Sequence, residues 1–573
     1  MKDNGFIAKG REWFAHESRS TSLIFLSFVL ITFAKTYLFN YFAFYESLLP
    51  AGSESLNHYF GSMLCKLSVA LMLGALTFVI KDKRWLILVS LIIDIWCIAN
   101  LVYMRNNNMV LDGEAFNQAG NIHGYFWSVL IYFEWKIDLI FVLLTALFSC
   151  IFIFTDKSDR IAPLWLITMM AAIMLRFVGA GLDDSLGNNT LTRDGREYVY
   201  GWSFSNMVKQ VSIIESPAYV IADYIEMKKG SQPYHPMTRQ NKFHIAPLIN
   251  ENDYHTSNEP LIIILVESLE NWVCRPDVMP NLYALSQSEH VLYADHINTQ
   301  TMGAPSADGQ MIVNTGLLPI NAGATCLHYP HNVYPALMKT TTEKSVCLLS
   351  HNIDVWNQRE MSPAFGYDTT IVFSDIDTLL FNELNHLVDN GERHIQCITQ
   401  STHAPFNNHE LSSLELPSNM PRVMRNYIRA FNAFDNGLKI FLDKLESDTI
   451  LQDYTIVITG DHRILHREKR ESMMRYCKKN NLDYDAGNDC LPLIIYSPHI
   501  EGNEYIKTDA YQMDIYPTVL NLIGQKDYTW RGIGTNLRDD ASLYNRFTGS
   551  HDAAVICDQI IRNNYFKNFN VGD

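Results

Sequence analysis

Apolar positions along the chain change their pattern near residue 181. Before that point they fall in long unbroken runs, and after it in short runs separated by polar segments. A bilayer core takes about 20 mostly apolar residues in helical form. Five runs meet that length: Ser22–Phe42, Ser62–Ile80, Trp85–Met104, Ile137–Thr155 and Ala162–Gly181. The first is not a signal peptide, because it is too long, lacks a small-residue cleavage site and is followed by four more runs. Each run holds one charged residue, in order Lys35, Lys66, Asp94, Asp138 and Arg176. Intramembrane charges are expected either to serve function or to snorkel to the edge, and Asp94, in mid-span, is the hardest to place at an edge.

Residues 182–258 read as a connector. Within it Val208, Val211, Ile214, Ala218, Ile221 and Ile225 recur at helical spacing, with Pro217 predicting a kink or two shorter helices. The apolar face of that segment would lie on the outer leaflet or pack on the following domain. Gly230–Pro247, polar and with three prolines, reads as a linker. The loop between the third and fourth spans holds Tyr125, Phe126, Trp127, Tyr132, Phe133 and Trp135, a composition suited to the membrane interface.

From residue 259 to 573 short apolar runs alternate with helical pattern. Leu261–Val266, Ser345–Leu349, Ile395–Thr399, Thr455–Thr459 and Leu493–Tyr496 predict buried strands. Tyr427, Phe431, Phe434, Leu438, Phe441 and Leu445 step by 4, 3, 4, 3, 4 and predict one amphipathic helix. The alternation predicts an α/β sheet covered by helices. Three segments follow: a five-helix transmembrane domain at 1–181, a connector at 182–258 and an α/β domain at 259–573.

Charge separates along the same boundary. The whole chain has 573 residues, a formal charge of −16 and a mean hydropathy of −0.04. Residues 1–181 hold 14 Lys and Arg against 13 Asp and Glu, and the remainder 31 against 48, a net −17. The near-zero mean hydropathy therefore averages an apolar anchor with a polar domain. An acidic domain of this kind is not a nucleic-acid binder. Nine cations (Lys2, Lys9, Arg11, Arg19, Lys81, Lys83, Arg84, Lys157 and Arg160) flank one side of the spans, against Arg105 and Lys136 on the other. By the positive-inside rule the N-terminus is cytoplasmic, and with five spans the second domain lies outside the cytoplasm.

In sheets of this class the chemistry gathers at the C-terminal strand ends. Glu267 follows the first run, Ser401, Thr402 and His403 the third, and Gly460, Asp461 and His462 the fourth. Oxygen and nitrogen ligands of this kind suit Mn²⁺, Zn²⁺ or Mg²⁺. In Gln300–Gln310, Gly303 and Pro305 break the chain before an apolar stretch, which puts Ser306 at a helix N-terminus, where an anion such as phosphate is favoured. Each residue taken alone fits a strand cap or an N-cap equally well; the set together fits a metal-activated hydroxyl.

The ordered motifs resemble those of the lipoteichoic acid synthases and, more broadly, the phosphoglycerol transferases of the alkaline phosphatase/sulfatase superfamily. They are Val266–Glu270, Gln300–Asp308, Trp356-Asn357, Ser401–Phe406, Thr459–His462 and Gln512–Thr518. The resemblance implies a sulfatase-like catalytic domain with Glu267, Ser306, Asp461 and His462 around one divalent metal, Mn²⁺ first. It also implies Ser306 as nucleophile where that family has threonine, and His403 and Trp356 at the substrate. The family's Trp-Asn-Arg reads Trp356-Asn357-Gln358-Arg359 here, so Arg359 is displaced by one position as a phosphate ligand. His351 is a further candidate for the pocket, and His466, in the basic run Arg463–Arg470, for a metal or substrate contact.

What the resemblance implies is transfer of a phosphoglycerol-type group from an outer-leaflet phospholipid to a glycan or lipid hydroxyl, at the cytoplasmic (inner) membrane. The competing readings are phosphoethanolamine transfer to lipid A or a glycan, and a silent membrane scaffold. Sulfatase chemistry needs Cys or Ser in a Cys/Ser-x-Pro-x-Arg context. Ser306-Ala-Asp-Gly-Gln310 does not supply it, and Cys274-Arg-Pro-Asp-Val278 lacks the arginine. Of ten cysteines, seven lie outside the spans; Cys347 and Cys397 fall in buried strands as free thiols, and Cys477 and Cys490 are the candidates for a bridge.

Overall fold

A computed structural model of the chain describes residues 4–44, 56–107, 109–113, 115, 129–154, 162–182, 208–209, 211–228, 257–320, 323–332, 337–341, 343–508, 510–524, 534–539, 551–562 and 564. The linker at 230–247 and the aromatic residues Tyr125, Phe126 and Trp127 lie outside them. The chain forms two compact units, residues 1–119 with 132–242, and residues 120–131 with 243–573.

The first unit is helical: α1 (Asn4–Phe44), α2 (Leu56–Gly74, continued as a 3₁₀ turn to Phe78), α3 (Trp85–Asn107), α4 (Trp135–Phe154), α5 (Ala162–Leu182) and α6 (Ser216–Lys228). Five of these contain segments long and apolar enough to cross a membrane: Ser20–Phe44, Tyr59–Phe78, Trp85–Asn107, Trp135–Ile153 and Pro163–Leu182. Large apolar side chains stand outward on them, with Leu30, Ile95, Leu143, Ile153 and Met174 all more than 60% exposed. A surface of that kind suits lipid and not water.

The charges of the apolar runs are paired within this unit. Lys35 and Asp94 form a fully buried ion pair between α1 and α3. The Lys35 ammonium also donates to Ser90 Oγ and Thr145 Oγ1, both at 2.6 Å, and Thr145 Oγ1 donates to Asp94 Oδ2 at 2.6 Å. Arg105 forks onto Asp138 through two bonds of 2.9 Å. Arg176 pairs with Glu215 at 2.9 Å, and Lys66 donates to the Lys209 carbonyl at 2.8 Å. Pairing between helices, and for Lys66 and Arg176 with the connector, thus satisfies charges that hydrocarbon would penalise. Replacing one partner leaves the other charge buried and uncompensated. Lys35→Met is expected to cost roughly 3–5 kcal/mol, and Lys35→Met with Asp94→Leu to recover most of it. Thermal unfolding of the two variants in detergent reads the difference.

The connector segment forms two shorter helices and not one kinked helix: residues 208–209 are helical, 213–215 form a turn, and α6 begins at Ser216, just before Pro217. Pro217 sits in the first turn of α6, where its missing N–H costs nothing. The apolar face is shared differently from expectation. Val208, Val211, Ile213 and Val220 are buried with Phe39, Ile93, Cys97 and Phe141 of the spans, while Ile221 and Ile225 are exposed.

The second unit is built on a mixed sheet of nine strands among the described residues, in the order β4-β3-β5-β1-β6-β7-β2-β8, with β9 also on β2. In chain order its elements are β1 (Leu261–Val266), α7 (Pro280–Ser286), β2 (Val291–Asn298), α8 (Pro305–Thr315), β3 (Ser345–Leu349), α9 (Gln358–Ala364), β4 (Thr369–Val372), α10 (Asp377–Asp389) and β5 (His394–Ile398). These are followed by α11 (Arg422–Ser447), β6 (Thr455–Gly460), α12 (Arg467–Asn480), β7 (Leu491–Tyr496), β8 (Asn503–Tyr505), β9 (Ala510–Tyr511), α13 (Ile515–Leu522) and α14 (His551–Arg562).

All five predicted strands and the amphipathic helix, α11, are present. Four strands were not legible. β2 carries Asp295, His296 and Asn298 among its apolar residues, β4 is an exposed edge, and β8 and β9 are three and two residues long. The strand β1, apolar and buried along its whole length, lies between β5 and β6, parallel to both. Its last residues register with theirs, Leu265 with Ile398 and Thr459, and Val266 with Gly460. The chain segments following these strands therefore leave the sheet side by side. No disulfide joins Cys477 and Cys490; Cys477 is buried on α12, and Cys490 Sγ lies 3.9 Å from Asn298 Oδ1.

Candidate active site

Four side chains meet at the common strand edge. Ser306, the second residue of α8, places Oγ 3.2 Å from Glu267 Oε2 and 3.3 Å from His462 Nε2. His462 Nε2 lies 3.3 Å from Glu267 Oε1 and 3.6 Å from Asp461 Oδ2. Glu267, Asp461 and His462 are buried, and their ligand atoms lie within 4.8 Å of one another.

A tetrahedral site with bonds of about 2.1 Å has donors about 3.4 Å apart, so the spacing and chemistry of this set fit one divalent cation. The electrostatics point the same way. Burial alone would raise Glu267, but the hydrogen bond and charge of His462, with help from His403 and Ser268, hold it well below the carboxylate range. Burial, and then the Glu267 charge, push Asp461 up. Burial works against a charged His462, yet Asp461 and Glu267 hold its pKa well above the histidine range. Two carboxylates so close require a positive charge between them, and a protonated His462 supplies it where a cation would.

Backbone and side-chain bonds fix each donor. His462 Nδ1 donates to the Arg463 carbonyl at 2.8 Å, which turns Nε2 toward the cluster. Asp461 Oδ1 accepts the amides of Ser268 and His462, both at 2.7 Å. Ser268, with φ of 60°, sits in the left-handed region, and its hydroxyl donates to Glu267 Oε1 at 2.7 Å. Tyr427 OH donates to the Ser268 carbonyl at 2.7 Å, and Thr402 Oγ1 to the Glu267 carbonyl at 2.6 Å. Glu270 accepts the Ile464 and Leu465 amides and pairs with Arg470, which ties down the loop after His462.

The serine is held from its other side. Asp308 accepts the amides of Met302 and Ala304 at 2.9 and 3.1 Å, and burial lifts its pKa to about 7. Gln512 Nε2 donates to the Asp461 carbonyl at 2.6 Å, while its Oε1 accepts from Thr299 Oγ1 and the Gln300 amide. Helix α8 reaches the strand end because residue 309 is glycine: a Cβ there would stand 2.0 Å from the Asp461 carbonyl oxygen. Gln512 and Gly309 are positioning residues that the sequence did not reveal as such, since their partners are backbone atoms far along the chain.

The other candidates are placed differently. His403 and His351 are electrostatic neighbours of Glu267 and of each other. His403 Nδ1 donates to the Ala404 carbonyl at 2.7 Å, which leaves Nε2 as its basic nitrogen. Burial lowers the pKa of His351. Trp356, with φ of 50°, packs partly buried against the main core of this unit. No described contact joins Arg359 to the cluster; its guanidinium is held by Asp354 at 2.8 Å on the exposed surface. The preceding residue explains the displacement. Gln358 is buried and bonded to Gln310 at 2.6 Å, and Gln310 to Gln396 at 3.0 Å. His466 pairs with Glu468 at 2.9 Å.

Behind His403, Ser401 Oγ donates to Asp377 Oδ2 at 2.5 Å. Burial raises the Asp377 pKa from 3.8 to about 7. The unfolded chain therefore loses this proton at a lower pH than the fold does, so the contribution to stability falls as pH rises from about 4 to about 7. Asp377→Asn keeps an acceptor for Ser401 and removes that loss. It should be indistinguishable from the parent near pH 4 and more stable by roughly 2–4 kcal/mol above pH 7, measured by denaturant unfolding across pH.

Comparisons with known proteins agree with this architecture. Residues 260–525 match the family model described as sulfatase, and residues 8–232 the lipoteichoic acid synthase N-terminal domain. A lipoteichoic acid synthase from Staphylococcus saprophyticus subsp. saprophyticus is 23% identical over 560 residues, covering 90% of this chain and 84% of its own. Among solved structures, a lipoteichoic acid synthase from Listeria monocytogenes is 23% identical with a TM-score of 0.44, covering 51% of this chain and 80% of its own. The integral membrane lipooligosaccharide phosphoethanolamine transferase A from Neisseria meningitidis is 12% identical with a TM-score of 0.45, covering 86% of this chain and 95% of its own. The chain thus carries, in order, a match to the lipoteichoic acid synthase N-terminal domain model and a match to the sulfatase model.

Proposed function

We propose that this protein is a membrane-anchored, metal-dependent transferase that moves a phosphoglycerol-type group from a phospholipid to an acceptor hydroxyl through a phospho-serine intermediate. The observation that carries the proposal is the convergence of Ser306 Oγ with Glu267, His462 and Asp461 at one strand edge. Held by Glu267, Asp461, His462 and Ser306, a divalent cation, Mn²⁺ before Zn²⁺ or Mg²⁺, supplies Lewis acidity that lowers the pKa of the serine hydroxyl and polarises a phosphoryl oxygen.

The residues then divide the work. Ser306 Oγ forms the new bond to phosphorus while the bond from phosphorus to the diacylglycerol oxygen breaks. The N-terminus of α8 directs amide N–H groups at the phosphoryl oxygens. His403 Nε2 takes the Ser306 proton and gives it to the departing diacylglycerol oxygen; it then takes the proton of the acceptor hydroxyl, which attacks phosphorus, and returns it to the released Ser306 oxygen. Trp356 packs beside the glycerol, and His351, kept neutral by burial with its Nδ1–H donated to the Asn352 carbonyl, offers Nε2 as an acceptor to a glycerol hydroxyl. Arg359 reaches the headgroup only by leaving Asp354.

The five spans hold the domain beside the outer leaflet, with the N-terminus in the cytoplasm and the site outside it. The acceptor is a glycan or lipid hydroxyl. Mass spectrometry of the purified full chain after incubation with phosphatidylglycerol or phosphatidylethanolamine tests the proposal. A phosphoglycerol adduct on Ser306 is expected; a phosphoethanolamine adduct would reassign the headgroup, and no adduct from either lipid would refute the intermediate.

A further inference from the structure

The second unit exposes eight large apolar side chains among its described residues, and four of them fall in one stretch of eight: Val372, Phe373, Ile376 and Leu379. Each is 43–52% exposed. Val372 ends β4, Ile376 precedes α10, and Leu379 lies one turn further on, with its amide bonded to the Ile376 carbonyl at 3.0 Å. An apolar cluster of this kind on a polar domain marks a contact surface.

Its place in the fold is informative. β4 runs parallel to β3, and β3 to β5, so the stretch leaves the sheet at the same edge as the Ser306 cluster. Both of its ends are tied to segments that carry site histidines. The Phe373 amide donates to the Leu349 carbonyl at 2.8 Å, two residues before His351. Asp377 accepts from Ser401, two residues before His403. The stretch therefore adjoins the segments that carry His351 and His403.

The same chain carries five helices fit to cross a membrane. A bilayer is thus an apolar partner always within reach of this domain. Charge does not favour that approach, because the chain after residue 181 is net −17. Buried apolar area supplies an attraction that needs no cations.

We propose that Val372, Phe373, Ile376 and Leu379 form an apolar ridge that enters the outer-leaflet interface and holds the hydrocarbon part of the lipid donor beside the site. This rests on the lipid-donor reading above. The ridge itself is tested separately from the chemistry.

The first measurement places a fluorophore at Ile376→Cys or at Met474→Cys, an exposed apolar position on α12, in the full chain reconstituted into phosphatidylglycerol vesicles. Spin-labelled lipid is expected to quench the label at 376 strongly and that at 474 weakly, with little change between low and high salt. Equal quenching at the two positions, or protection of 376 that appears only with protein concentration, would overturn the ridge; the second result would mean a contact between copies. The second measurement compares Phe373→Ser with Ile376→Ser, combined, against the parent. Release of diacylglycerol from vesicle lipid should fall about tenfold, while turnover of a water-soluble short-chain phosphatidylglycerol stays within about twofold. Equal loss on both donors would also overturn it. If the parent turns over neither donor, the transferase reading fails while the quenching result still stands.

Discussion

Ser306→Ala should abolish both the covalent adduct and group transfer. The serine oxygen is the only hydroxyl bonded to both Glu267 and His462 among the described residues. In the proposed mechanism its removal takes away the nucleophile, and the loss expected for a nucleophile is on the order of 10³-fold or more. The fold should survive, because Ser306 is only partly buried and the Glu267 and His462 it bonds are held by Ser268, Thr402 and the Arg463 carbonyl as well. Thermal unfolding of the variant should match the parent. Ser306→Thr keeps a hydroxyl at the same helix position and should retain transfer. If Ser306→Ala still transfers the group, the phospho-serine mechanism is wrong.

A second large effect is expected from a residue with no chemistry of its own. In Gly309→Ala the added Cβ would sit 2.0 Å from the Asp461 carbonyl oxygen and 2.7 Å from its carbon. Those atoms are backbone at the end of β6 and cannot rotate away. Helix α8 must move off the strand, and Ser306 moves with it. The overpacking should cost roughly 2–4 kcal/mol and, unlike Ser306→Ala, should lower stability and metal content together. Calorimetry and metal analysis of the purified variant read both. A stable Gly309→Ala protein with full metal content would show that α8 and β6 are not clamped as described.

The two variants separate chemistry from placement. The candidate donors were legible because each follows an apolar run long enough to be a buried strand, as Glu267 follows Leu261–Val266. What holds them was not legible. Gln512 lies 51 residues from Asp461, and its contact is with a carbonyl. Such a bond leaves no residue pattern, because any backbone oxygen looks alike in sequence. The same limit hid the polar β2, whose Asp295 and His296 interrupt the apolar alternation. It also hid the role of Gln358, whose burial against Gln310 depends on how α8 and α9 face one another.

Pairing inside the membrane was likewise beyond the sequence. Lys35 and Asp94 stand in different spans, 59 positions apart, and only helix packing brings them together. The sequence by itself determined the five apolar helices, five buried strands and the chemical types at their ends, because hydrophobic runs and strand-end positions are local properties. The tertiary structure decided which charges cancel, that Arg359 is held by Asp354, and that Ser306 meets Glu267 and His462. Those outcomes depend on distances between residues far apart in the chain, and local pattern does not encode them.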